Sequence, residues 1–135
     1  MLLLDEIAKY LHDGNELVFD EEGILGNIFI ATIPTVPEVV VALYPTGGGS
    51  PEGDLPYLTP SVQIYVRGTK DPRIGMSMAQ DIYNKLQGFH HERFIENGTW
   101  ILSCKALQSF PIHIGIDGNE RHEYTLNFVL EILNN

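Results

Sequence analysis

Three runs of two-residue alternation constrain this chain more than anything else in it. From Ser61 to Arg67, Val62, Ile64 and Val66 alternate with Gln63, Tyr65 and Arg67. From Thr99 to Leu107, Trp100, Leu102, Cys104 and Ala106 fall together, and from His122 to Leu133 so do Tyr124, Leu126, Phe128, Leu130 and Ile132. Successive side chains of a strand point to opposite faces, so each run predicts a strand with one buried face. Two other segments carry a helical period instead. Leu3, Leu4, Ile7, Ala8 and Leu11 recur at three-and-four spacing before Gly14, which suits a helix C-terminus. Asp71 and Pro72 supply an N-cap and a first-turn proline, and Ile74, Met78, Ile82 and Leu86 follow at helical spacing up to Gly88. Strands and helices in this order predict an α+β domain.

The remaining segments are shorter or irregular. Residues 27–33 and 38–44 are rich in Ile, Val and Phe and bounded by Pro34, Pro37 and Pro45, which predicts two strands in a hairpin or as close neighbours. Asp20, Glu21 and Glu22, closed by Gly23, read as a solvated turn. Thr46 to Pro60 holds Gly47, Gly48, Gly49, Pro51, Gly53 and Pro56, a composition that predicts a long mobile loop; it suits either a partner-binding arm or a tolerated insertion. Between residues 108 and 121, Pro111 and the Asp117–Gly118 pair predict a short extended piece and a turn. Gly75, Met76 and Met78 suit close packing of the second helix on a sheet. With 135 residues, 44% of them hydrophobic and 19% charged, the chain is expected to fold as a single domain over 1–135.

Charge and composition then exclude function classes. Eighteen acidic residues against eight basic ones give a net charge of −10, which opposes specific nucleic-acid binding, since that depends on clustered Lys and Arg. No apolar run approaches the roughly 20 residues that span a bilayer, and Asp5 and Glu6 directly follow Leu2–Leu4, so neither a membrane segment nor a secretory signal is expected. Synthesis in the cytoplasm follows. Cys104, the single cysteine, sits in an alternating apolar run and reads as a buried, inert thiol. His90, His91 and Glu92 are adjacent and cannot easily converge on one ion, whereas His12, His113 and His122 are isolated in sequence. Ser50, Pro51 and Glu52 stand where a phosphate-binding loop needs Lys and then Ser or Thr, and no serine lies in a Gly-x-Ser-x-Gly elbow. No catalytic residue, metal site or cofactor is expected, and assembly with other proteins is favoured over chemistry.

The run LTPSVQIYVRG from Leu58 to Gly68, followed by DPRIGMSMAQDIYNKLQG from Asp71 to Gly88, resembles the minor capsid or tail-terminator (head-to-tail joining) proteins of long-tailed bacteriophages. The resemblance implies a twisted, mainly antiparallel or mixed sheet with two main helices packed on one side. It also implies a structural virion protein, made in the host cytoplasm, that self-associates as a ring, expected to be a hexamer. The ring would cap the tail tube protein and join it to the head connector protein. Gln63, Tyr65 and Arg67 match the polar face of the family's strand and become interface candidates, with Gly47, Gly48, Gly49, Asp54 and Tyr57 of the loop beside them. In a ring, the acidic turn at Asp20, Glu21 and Glu22 would suit a lumen through which DNA slides without sticking. Two alternatives stay open: a head-completion or connector protein on the portal side, and a small-molecule-binding module or enzyme with a pocket between helix and sheet.

Overall fold

The computed structural model describes residues 2–23 and 25–133. Helix α1 (Leu3–Leu11) is followed by strands β1 (Ile28–Ile30), β2 (Val40–Pro45), β3 (Tyr57–Leu58) and β4 (Ser61–Arg67). Helix α2 (Pro72–Leu86) comes next, and then β5 (Glu92–Arg93), β6 (Trp100–Ala106), β7 (Ile112–Ile116) and β8 (His122–Leu133). The strands form one mixed sheet in the order β1-β2-β4-β8-β6-β5, with β3 and β7 also paired to β8. The two predicted strands near residues 27–44 are neighbours, but parallel ones rather than a hairpin.

The 12-residue β8 organises the sheet. Along one edge it pairs with β4 and, farther on, with β3; along the other it pairs with β7 and then β6. All four pairings are antiparallel. Both helices cover the same sheet face. Leu4, Ile7, Ala8 and Leu11 of α1 and Met78, Ala79, Ile82 and Leu86 of α2 share one core with Val62, Ile64 and Val66 of β4 and with Tyr124, Leu126, Phe128 and Leu130 of β8. At roughly 1.5–3 kcal/mol for each large apolar side chain fully buried, this layer is the main source of stability.

The N-cap of α2 matches its sequence signal, whereas α1 ends at Leu11 with His12 extended, short of the Gly14 expected to cap it. Asp71 Oδ1 accepts the backbone N–H of Arg73 at 3.0 Å, and its carboxyl is held below the usual range, first by the hydrogen bond from the Arg73 side chain. At α1 the Asp5 carboxylate accepts the Leu2 N–H at 3.0 Å. The first turn of α2 lies directly on the exit of β4. A Cβ on Gly75 would stand 2.6 Å from Tyr124 Cε1, and one on Gly68 would stand 2.5 Å from the Gly75 nitrogen, so both glycines are needed for this approach.

Strand β6 departs from the simple alternation. Its register against β8 shifts between Ile101 and Ser103, and the bulge brings Ile101 rather than Leu102 into the core with Cys104. Trp100 is left half-buried, with the Arg93 guanidinium 5.0 Å from its ring centroid.

Candidate assembly surfaces

The stretch Thr46–Pro60 differs from the mobile loop its composition predicts, because backbone bonds zip its base to the sheet. Thr46 N–H donates to Ser61 O at 3.1 Å, Gly49 N–H donates to Thr59 O at 3.1 Å, and Tyr57–Leu58 form β3 against Ile132 and Leu133. Gly47 and Gly48 adopt positive φ, and a Cβ on Gly48 would stand 2.1 Å from Thr59 O. The glycines therefore let two backbones cross, which composition alone does not distinguish from flexibility. Residues 50–56, Asp54 among them, project into solvent beyond this zip, and Tyr57 is half-buried at its root. Beside the base, Leu2, Leu3 and Leu4 with Pro45, Pro60 and Val62 line an apolar groove of about 320 Å³.

Gln63, Tyr65 and Arg67 lie on the sheet face away from the helices. Arg67 is 3% exposed: its Nε donates to Glu38 O at 3.0 Å, and its Nη2 to Pro34 O and Pro37 O at 2.8 Å each and to Thr35 O at 3.2 Å. From just before β8, Arg121 Nη1 adds a bond to Thr35 O at 2.7 Å, while its Nε pairs with Asp117 Oδ2 at 2.8 Å. Two guanidinium groups thus hold the 34–38 segment against the outer face. Tyr65, also buried, donates its hydroxyl to Glu123; burial first, and then that carboxylate, push its pKa up. Gln63 is half-buried and donates to Thr125 Oγ1 at 3.1 Å. Within one subunit, then, Arg67 and Tyr65 spend their polar groups internally.

The acidic turn belongs to a third region. Asp20 accepts the Glu22 N–H at 3.0 Å and the Leu25 N–H at 2.8 Å, and Glu21 pairs with Lys9 of α1. The fold does not gather the candidates into one cluster: Ser61 at the loop base and Arg67 stand at opposite ends of β4.

Perturbed ionisable groups are likewise scattered, each with a local cause. Burial pushes the Cys104 thiol up to about 12, while turn N–H groups lower Asp13 and Asp117. The polar groove of about 630 Å³ around Arg93, Asn97 and Trp100 contains Glu6, whose carboxylate is taken up by Thr99, through its N–H at 2.6 Å and its hydroxyl at 2.8 Å. No group of three or more His, Cys, Asp or Glu residues that could hold a metal ion occurs among the described residues. None of the described helices is long and apolar enough to cross a membrane. His113 and His122, nine residues apart, meet across β7 and β8 with Nε2 and Nδ1 3.0 Å apart.

Sequence reasoning missed a dense run of exposed apolar side chains. Leu107, Phe110, Ile112, Ile114 and Ile116 are 43–70% exposed within ten residues. The segment 106–116 contains no Asp, Glu, Lys or Arg. Its strand, β7, pairs with β8 on one side only among the described residues. The signal was present as Ile-x-Ile-x-Ile in a segment read only as a short extended piece. An open apolar strand edge is a template for another chain, and natural proteins normally blunt it with charge.

Comparison with curated proteins finds no match. A family model described as Bacteriophage tail terminator protein matches residues 6–134, nearly the whole chain, and agrees with the strand–turn–helix resemblance of residues 58–88. The protein belongs to the bacteriophage tail terminator family and is a structural component of the virion's tail.

Proposed function

We propose that copies of this chain close into a ring, a hexamer by family resemblance, that caps the tail tube and presents its other side to the head connector. The observation that supports this beyond family membership is the apolar, uncharged stripe from Leu107 to Ile116 on a chain of net charge −10. Such a stripe stays dry only in an assembly. Like-charged copies repel unless their contacts use uncharged surfaces, and this stripe is one. The loop tip at 50–56 is read as a second contact, toward the tube or a neighbouring subunit, and the turn at Asp20–Glu22 as part of an acidic lumen that repels the phosphates of passing DNA.

Mass by light scattering over a concentration series, with and without tail tubes of the same phage, tests the ring. Electron microscopy of the tube ends then locates it. A discrete cap at one end is the expected result; a monomer that never binds a tube would overturn the reading. Deleting residues 50–56 while keeping the zipped base should leave the monomer's unfolding curve in place and weaken capping. Normal capping by that variant would remove the loop from the interface.

A further inference from the structure

The two lateral edges of the sheet lie at the same height. Following the strand registers, Phe29 of β1 stands opposite Ala42 of β2, Ala42 opposite Tyr65 of β4, Tyr65 opposite Thr125 of β8, and Thr125 opposite Ile112 of β7. One row of residues thus crosses five strands, from Phe29 at one edge to Ile112 at the other. Directly paired residues share a face, so Phe29 and Ile112 both lie on the face away from the helices, where Phe29 packs with Val40, Ala42 and Tyr65. Polarity matches as well. β1 runs with β2 and β8, whereas β7 runs against β8, so β7 is antiparallel to β1.

From this geometry we infer that the outer edge of β7 docks on the outer edge of β1 in the next copy, extending the sheet from subunit to subunit. The inference rests on the ring reading and names the contact that builds the ring. Placing a second copy beside the first along the hydrogen-bonding direction brings β7 and the neighbour's β1 together antiparallel, with Ile112 facing the neighbour's Phe29. The contact is heterologous: two different edges meet, and neither has to be self-complementary. Charge selects the same occupant. Residues 24–37, which carry β1, contain no Asp, Glu, Lys or Arg, just as 106–116 do not, so two uncharged edges meet on chains that otherwise repel. Close to its start, β1 is already capped by Val18 O, which accepts the Ile28 N–H at 3.1 Å, and the Ala31 N–H is taken by Leu43 O of β2 at 2.8 Å, so Ile30 supplies the outward-facing N–H, opposite the neighbour's Pro111 O in this register.

Two variants test this with tail tubes of the same phage. Ile114→Lys places a charge on the β7 edge, at a side chain that is already exposed. It should fold as the parent does, by circular dichroism and unfolding midpoint, yet lose ring formation and capping at least tenfold in concentration. In the second test, Phe29→Cys copies are mixed with Ile112→Cys copies under mild oxidation. A directly opposed antiparallel pair has Cα atoms about 4.5–5.5 Å apart, within disulfide reach, and the buried Cys104 does not compete. A cross-linked dimer from the mixture, and none from either variant alone, is expected. If the parent protein caps tubes and Ile114→Lys caps equally well, the edge contact is wrong and the ring reading stands. If Ile114→Lys blocks capping but no cross-link forms between copies, β7 meets the tube protein instead and the inference is again overturned. If the parent protein neither assembles nor caps, the ring reading itself fails.

Discussion

Replacing Arg67 by Met keeps most of the side chain's volume and removes every donor it uses. Three of its four carbonyl contacts are 3.0 Å or shorter, and hydrogen bonds to a charged group contribute about 1.5 kcal/mol each at the low end of their range, which gives a starting figure of about 5 kcal/mol. Two effects lower it. The guanidinium's own desolvation cost disappears with the charge, and residues 35–38 are exposed enough for their freed carbonyls to turn toward water. The expected loss is therefore about 3 kcal/mol, or a fall in midpoint on the order of 10 °C for a domain of this size. Urea unfolding of the dilute protein measures it. Arg67→Lys, which offers a point charge in place of a planar fork, should lose roughly half as much. A loss below about 1 kcal/mol in Arg67→Met would refute the reasoning, because packing rather than the carbonyl bonds would then be holding the segment.

Gly75→Ala should destabilise by about 1–2 kcal/mol, although alanine favours a helix interior by about 1 kcal/mol, because the new methyl meets Tyr124; calorimetry decides the sign. Stability should fall as pH rises from about 9 upward. The unfolded chain loses protons from Cys104 and Tyr65 at ordinary values while the folded chain, with both raised, keeps them; Tyr65→Phe and Cys104→Ala should each flatten that limb of the curve. Cys104 should resist thiol reagents at pH 8 in the native protein and react fully in urea, followed by absorbance. Glu6→Ala should cost about 2–3 kcal/mol by leaving the Thr99 N–H and hydroxyl unpaired where α1 meets β6, as read by chemical denaturation.

Wherever a side-chain period was long and uninterrupted, the sequence was enough to place the element. β4, α2 and β8 fall within a residue or so of the spans their alternation and caps predict, and the strand–turn–helix pattern of 58–88 pointed to the family. Other features depend on partners distant in the chain. A bulge in β6 turns Ile101 rather than Leu102 inward, and no local pattern marks it. Arg67 looked like the polar face of a half-buried strand, and only the fold brings the carbonyls of 34–38 over it. Glycines 47 and 48 looked like slack, yet they are where two backbones cross. The β7 stripe was legible as three alternating isoleucines, but its importance comes from lying at an edge, and edges are a property of topology.

β8 holds the middle of the sheet, yet every strand that it joins precedes it in the chain. During synthesis, β2 and β4 can pair as they emerge, while β3 and β7 have no partner in the sheet until β8 appears and β6 has only the two-residue β5. The apolar edge of β7 is therefore presented in its final form only on a subunit whose last central strand has zipped into place. If the β7 edge is the contact between subunits inferred above, a chain whose β8 has not paired has no such edge to offer a neighbour.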